Sequence, residues 1–344
     1  MWHVLLLIVC AVAIYLACEW FVNAVEWLGQ RLNVGALAVG TILAAFGTAL
    51  PESVVTFVAV AFGGTETSKD IGVGAAMGGP LVLATIAYGV TGAMLLRRRS
   101  RARTTAKAAT GGGTLTAEVE DLGDLRKLAR DQTWFLTIFI VKVALGLVAF
   151  AIKPWLGLVF FAAYGLYFWK EMRGGGEGGD GEGLAPLLLQ RRRARPTTSA
   201  VIAQTLITLA IIFVASQVFV HQLDAIGPML GLPAAVTALL LSPIATELPE
   251  IMNAIIWVRQ GKVPLAMANI SGAMMIQATV PSGLGLLFTP WRFDAALLLS
   301  GLVTMAAIGY LLILLHRRAF NARTVTIAAA FYGVFAAVLI PILA

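Results

Sequence analysis

Two short stretches place a hydroxyl, a carboxylate and a helix-breaking proline inside otherwise apolar sequence. They are Gly47-Thr48-Ala49-Leu50-Pro51-Glu52 and Ala245-Thr246-Glu247-Leu248-Pro249-Glu250. They share Thr, Leu, Pro and Glu in the same order, 198 positions apart, which marks an internal repeat. In each, Thr and Glu are four apart and so share one helical face. Proline has no N–H, so Pro51 leaves the carbonyl of Gly47 without its helical donor, and Pro249 does the same to Ala245. Glu247 adds a carboxylate three residues before Glu250, on roughly the same face. Asn269 and Ser271 supply further side-chain oxygens later in the chain. Glu52, Glu250, Thr48, Thr246, Glu247, Asn269 and the carbonyls of Gly47 and Ala245 therefore form an all-oxygen donor set. Such donors suit hard cations, and Ca²⁺ takes about six to eight of them. Glu52 and Glu250 together neutralise one divalent ion. His3, His221 and His316 fall at the ends of apolar stretches, and no Cys or His neighbours either motif. That argues against zinc, copper or haem, and no resident cofactor is expected.

The surrounding chain shows where such a pocket sits. Of 344 residues, 59% are hydrophobic and 12% charged, against about 25% charged in soluble domains. Mean hydropathy is +0.87. The composition is that of an all-α integral membrane protein. Ten apolar stretches stand near 2–27, 34–62, 71–96, 133–151, 154–170, 198–220, 232–258, 263–290, 293–315 and 323–343. The second is too long for one unbroken crossing of about 20 residues, and it contains Gly40, Gly47 and Pro51. Spans 2 and 7, which carry the two motifs, are expected to be broken there. Charge at membrane depth is costly and marks function by default, and free backbone survives there only where it lines a cavity or is buried in protein.

Charge distribution sets the orientation. The net charge of +7 is not a nucleic-acid signature: all Lys and Arg except Lys69, Lys142, Lys153 and Arg292 fall on one side if the N-terminus is outside. That is the positive-inside pattern, with the runs at Arg97–Arg99 and Arg191–Arg193 facing anionic lipid at the inner surface. Both termini are then outside and the chain is a multi-pass protein of the cell membrane. Five crossings separate the motifs, so they run in opposite directions, as in two inverted five-helix repeats with a site near the midplane. The first repeat covers 1–173, with a cytoplasmic loop at 97–131 and a short helix around 115–128. A flexible Gly- and Arg-rich linker follows at 174–197, then the second repeat at 198–344. Gly175–Asp180 has the look of one calcium-binding nonapeptide but lacks the stacked copies that such repeats need, so it reads as tether.

Other features carry plainer readings. The N-terminus lacks the basic region of a signal peptide, and Glu19, Asn23 and Glu26 continue the same span. Glu19 reads as an interfacial carboxylate. Cys10 and Cys18, eight apart on one helix, are too distant to bridge. Span 3 opens with the small residues Gly72, Gly74, Gly78 and Gly79, which permit close packing against span 2. Lys142, inside span 4, is expected to snorkel or to pair with a carboxylate.

Both motifs resemble the alpha repeats of the calcium/cation antiporter superfamily, the sodium/calcium exchangers and their relatives. The family pattern is G-T-S-L-P-E in each half, followed one helix later by a G-N-x-x-G-S-N-like stretch. The resemblance covers the whole chain. It implies that Glu52 and Glu250 are central Ca²⁺ ligands, and that Thr48 and Thr246 give oxygens to Na⁺ or Ca²⁺. It also implies sliding of spans 1 and 6 against spans 2, 3, 7 and 8. The departures are local: the family's Ser is Ala49 in the first repeat and Glu247 in the second. In span 3 the Asn and Ser positions hold Ala75 and Gly79, followed by Pro80. In span 8 Asn269 matches, but Ala273 stands where another polar ligand is usual.

The expected function is secondary antiport of Ca²⁺, or a similar divalent cation, against Na⁺ or H⁺. Glu247 beside Glu250 favours proton uptake, because like charges in a low-dielectric site repel. Two alternatives stay open. One is a non-transporting cation sensor, given the lost polar ligands; the other is a membrane-embedded hydrolase with paired Glu as acid and base. Counter-ion-dependent flux separates them.

Overall fold

The computed structural model describes residues 2–62, 66–110, 124–173, 184–229, 231 and 237–343. Ten helical elements run through them: α1 (Trp2–Arg31), α2 (36–62), α3 (66–110), α4 (Leu125–Leu147), α5 (Gly157–Arg173), α6 (Thr198–Met229), α7 (237–260), α8 (Val263–Phe288), α9 (Ala295–His316) and α10 (Ala322–Leu343). Among the described residues there is no strand. By length and composition, six unbroken helices are apolar enough to cross a membrane, or up to eight spans if each of two bent pairs counts as one.

The bends fall where proline removes a backbone donor. In α2, Val39–Ala49 and Glu52–Phe62 meet at 47°; in α7, Leu239–Thr246 and Leu248–Gln260 meet at 50°. Each bend is preceded by a wide π-helical turn, Val39–Ala44 in α2 and Thr237–Leu241 in α7. These turns begin 198 residues apart, the offset of the sequence motifs. Such turns concentrate at functional sites. Gly261, at φ 84°, ends α7 by donating to Trp257 and Val258. That tight turn feeds directly into α8.

α8 is the axis of the molecule. Nearly all its side chains are buried, including polar Asn269, Ser271, Gln277, Thr279 and Ser282, and it packs against α2, α3, α4, α5 and α7. Small residues let the backbones meet. A Cβ on Gly272 would lie 2.1 Å from the Thr41 carbonyl oxygen, and one on Gly40 would lie 2.8 Å from Ala268 Cβ. The expected closeness of spans 2 and 3 is also present, since a Cβ on Gly72 would lie 2.4 Å from Val60. α1 lies along α6, and the two also touch α2 and α7, with apolar side chains such as Val12, Leu16, Leu206 and Val214 facing outward.

Several expectations change in detail. The region expected as a loop at 97–131 is helical through Thr110 and again from Leu125, where Asp124 caps α4 by accepting from the N–H groups of Arg126 and Lys127. The short helix expected at 115–128 falls largely outside the described residues, as does Gly175–Asp180. The linker expected to be flexible at 174–197 is docked from residue 184 onward. Asn23 accepts from the Leu188 N–H, Trp27 donates to the Ala185 carbonyl, and Leu187 is fully buried. Apolar Leu184 and Leu187 explain this, because they cover the C-terminal end of α1 and the N-terminal end of α6. Glu26 is buried, accepting from the Trp257 indole at 2.8 Å and pairing with Lys262. Glu19 is exposed, and both cysteines are free.

Candidate functional site

The two bends bring the motifs face to face. Glu52, half-buried on α2, accepts from the Thr246 hydroxyl of α7 at 3.4 Å. Reciprocally, the Thr48 hydroxyl of α2 lies beside the carboxylate of Glu250 on α7. Each motif thus presents its threonine to the other's glutamate. The threonines also brace their own helices, Thr48 on the Ala44 carbonyl and Thr246 on that of Pro243, both at 3.1 Å. Glu247 and Glu250 are fully buried at 0% and 1% exposure, as is Asn269 at 0%. Asn269 donates to the Glu250 backbone carbonyl at 3.3 Å, tying α8 to the second motif. Ala245 is buried beside them, and Gly47 sits where Phe21 of α1 and Leu209 of α6 press on α2.

A residue the sequence reading passed over connects the set. Gln277 of α8 donates its amide to Glu52 at 2.9 Å and to Glu247 at 2.5 Å. It stands two turns beyond Asn269 and one beyond Ala273, on the same α8 face. The signal was present: an amide in the middle of an apolar helix needs partners. Gly79 completes the arrangement. A Cβ there would lie 2.1 Å from Gln277 Oε1 and 2.7 Å from Glu247 Oε1. Where the resemblance leads one to expect a serine, the chain has open space, and Gln277 and Glu247 fill it from the opposite half.

Several buried polar atoms at the bends have no hydrogen-bond partner: Glu247 Oε2, Glu250 Oε2, Asn269 Oδ1 and Gln277 Oε1, with both amide atoms of Asn253 one turn past Glu250. Buried polar groups are normally paired, and at membrane depth an unpaired carboxylate oxygen costs several kcal/mol. Among the described residues, no three His, Cys, Asp or Glu side chains converge closely enough to hold a metal ion by themselves. Glu52 and Glu247 share the Gln277 amide as donor, and Glu250 lies beside Thr48. Hydroxyls, amides and carbonyls supply the other oxygens nearby. That donor chemistry fits a hard cation carried as substrate.

Two bent helices crossing an apolar bundle, with unpaired oxygens at the bends, define a membrane ion carrier. The chain belongs to the sodium/calcium exchanger protein family, whose model matches residues 2–170 and 200–341. CaxA of Alkalimonas amylolytica, named as an antiporter, is 26% identical over 279 residues, 80% of this chain and 77% of that protein. The solved sodium-calcium exchanger NCX_Mj has the same fold. Soaked with 2.5 mM Na⁺ and 0.1 mM Ca²⁺, it aligns at a TM-score of 0.70 and 16% identity over 97% of each chain. Soaked with zero Na⁺ and Ca²⁺, it aligns at 0.71 and 17% over 98% of each. The chain is accordingly a multi-pass membrane ion antiporter of this family, not an enzyme.

Proposed function

We propose that this protein exchanges Ca²⁺, or a divalent cation of similar hardness, for Na⁺ or H⁺ by alternating access. The ligands are Glu52, Glu250, Glu247, Thr48, Thr246, Asn269 and the carbonyls of Gly47 and Ala245, with Gln277 orienting two of the carboxylates. One observation carries the reading. Four unpaired oxygens on Glu247, Glu250, Asn269 and Gln277 lie buried between two proline-bent helices. When the divalent ion leaves, the same carboxylates are neutralised by Na⁺ or by protons, which couples the two fluxes.

The arrangement belongs to ten spans in two inverted five-helix units, 1–173 and 198–344, joined by an inner segment. The matched π-turns and bends at an offset of 198 support the repeat. The Lys and Arg distribution supports a cell-membrane protein with both termini outside and basic runs against anionic lipid. α1 and α6, packed on each other, are the pair that moves against α2, α3, α7 and α8.

Self-exchange tests this without assuming a coupling ion. Proteoliposomes preloaded with unlabelled Ca²⁺ should take up external ⁴⁵Ca²⁺ in exchange, with no imposed Na⁺ or pH gradient. Vesicles that trap no label above protein-free controls would remove the exchange reading and leave a cation sensor.

A further inference from the structure

α4 carries two lysines against its neighbours, and they are used differently. Lys142 is 0% exposed. It neither snorkels nor, among the described residues, forms an ion pair, which corrects the sequence expectation. Its ammonium donates to the Ala76 carbonyl of α3 at 2.8 Å, an oxygen that Pro80, four residues on, leaves without its helical donor. Lys127, near the other end of α4, meets acids. Its ammonium lies 2.5 Å from Glu171 of α5 and 3.4 Å from Asp131 one turn along α4, and Arg130 lies 3.6 Å from Glu171. Both acids are buried. Glu171 also reaches out of this cluster, accepting from the Thr41 hydroxyl at 3.1 Å. Thr41 is buried inside the π-turn Val39–Ala44 of α2. The last carbonyl of that turn, on Ala44, accepts from Thr48, the threonine beside Glu250.

The second half repeats the plan with other chemistry. Tyr332 of α10, itself buried, donates its phenol to the Leu240 carbonyl at 2.5 Å. Leu240 lies inside the π-turn Thr237–Leu241 of α7, and Thr246, which donates to Glu52, follows on the same helix. Each turn is thus held by the helix that ends its own half, α5 or α10. We propose that Glu171 and Tyr332 are positioning residues for ion exchange, each holding the π-turn of its own half and, through it, the threonine that faces the other motif's glutamate. This rests on the exchange reading and names what sets the geometry of that site. π-turns are rare and gather at functional sites, and a hydrogen bond from a neighbouring helix fixes where such a turn sits. The two holds differ in kind. A buried carboxylate is costly unless paired, and Lys127 and Arg130 pair Glu171; the phenol of Tyr332 needs no counter-charge.

Two measurements test it. In ⁴⁵Ca²⁺ self-exchange, T41V and Y332F should each raise the KM for Ca²⁺ by about 3–10-fold, the loss of one hydrogen bond, with kcat unchanged, the pattern of lost binding. T41S keeps the hydroxyl and should have the wild-type KM. The losses should multiply in T41V/Y332F, where the contacts are separate, whereas T41V should add little to E171A, because both remove one contact. An unchanged KM with a lowered unfolding temperature would show packing only and overturn the proposal, as would a full second loss in T41V/E171A. The second measurement needs no transport. Amide hydrogen exchange in detergent-purified protein should speed up across 39–44 in T41V and E171A, and across 237–241 in Y332F, each leaving the other turn at its wild-type rate. Faster exchange of both turns in every variant, or of neither, overturns the proposal. If the wild type exchanges no Ca²⁺, the exchange reading fails, while these rates still decide whether Glu171 and Tyr332 hold the turns.

Discussion

The two halves of this molecule share a backbone plan and differ in chemistry. Both have a π-turn followed by a proline bend, with Thr and Glu one turn apart. The second half carries most of the polar atoms: Glu247 and Glu250 on α7, Asn269 and Gln277 on α8. The first half answers with Glu52 and Thr48, and otherwise with space at Gly79 and a lysine on the carbonyl freed by Pro80. The bends match in position while the polar side chains around them do not, and Gln277 reaches a carboxylate of each motif. A polar group missing from one half can be replaced from the other, provided the losing side shrinks. Gly79 opposite Gln277 and Glu247 shows that exchange at atomic scale.

The comparison can be broken most forcefully at the two residues it makes equivalent. E52Q and E250Q should each lower divalent exchange by about 100-fold or more, consistent with about 2–5 kcal/mol for removing one charge from a desolvated ionic contact. Both variants should keep wild-type helicity and unfolding temperature, since an amide is nearly isosteric. Unequal losses would show that one half dominates binding.

Gln277 should rank next. Q277L removes the one amide that serves both Glu52 and Glu247. Hydrogen bonds to charged groups are worth about 1.5–3 kcal/mol, so the apparent Ca²⁺ affinity in flux assays should fall by about 10–100-fold. Unchanged affinity would detach α8 from the site. G79A should act more mildly, by about 10-fold on affinity, since displacing a buried contact costs about 1–3 kcal/mol. The atoms met by the new Cβ are side-chain ends and not backbone, so thermal stability should stay near wild type. A loss of stability matching the loss of affinity would make Gly79 a packing glycine only. The smallest effect on rate is expected from E247S, which restores the family residue in the second motif. It should shift coupling toward Na⁺, read as a steeper Na⁺ dependence and a weaker pH dependence of ⁴⁵Ca²⁺ flux. Unchanged dependence on both ions would count against Glu247 as a coupling group.

Much of this site was readable because proline, threonine and glutamate have local consequences. Pro51 and Pro249 foretold the bends, and the Thr and Glu of each motif meet the Glu and Thr of the other. What stayed hidden depends on which helices cross. Gln277 and Pro80 were visible as residues, but only the crossing of α8 over both bends gives Gln277 its two carboxylates. Likewise only the approach of α4 to α3 gives Lys142 its carbonyl. The docked segment after residue 184 was hidden by composition: arginine and glycine dominate the linker, while two leucines and the polar side chains Asn23 and Gln204 hold it in place.

The most direct test is ⁴⁵Ca²⁺ uptake into wild-type proteoliposomes under an imposed Na⁺ gradient and, separately, an imposed pH gradient. The account predicts uptake against the Ca²⁺ gradient under at least one of the two, ceasing when that gradient is collapsed by an ionophore. Uptake that ignores both gradients, or none under either, would contradict coupled exchange.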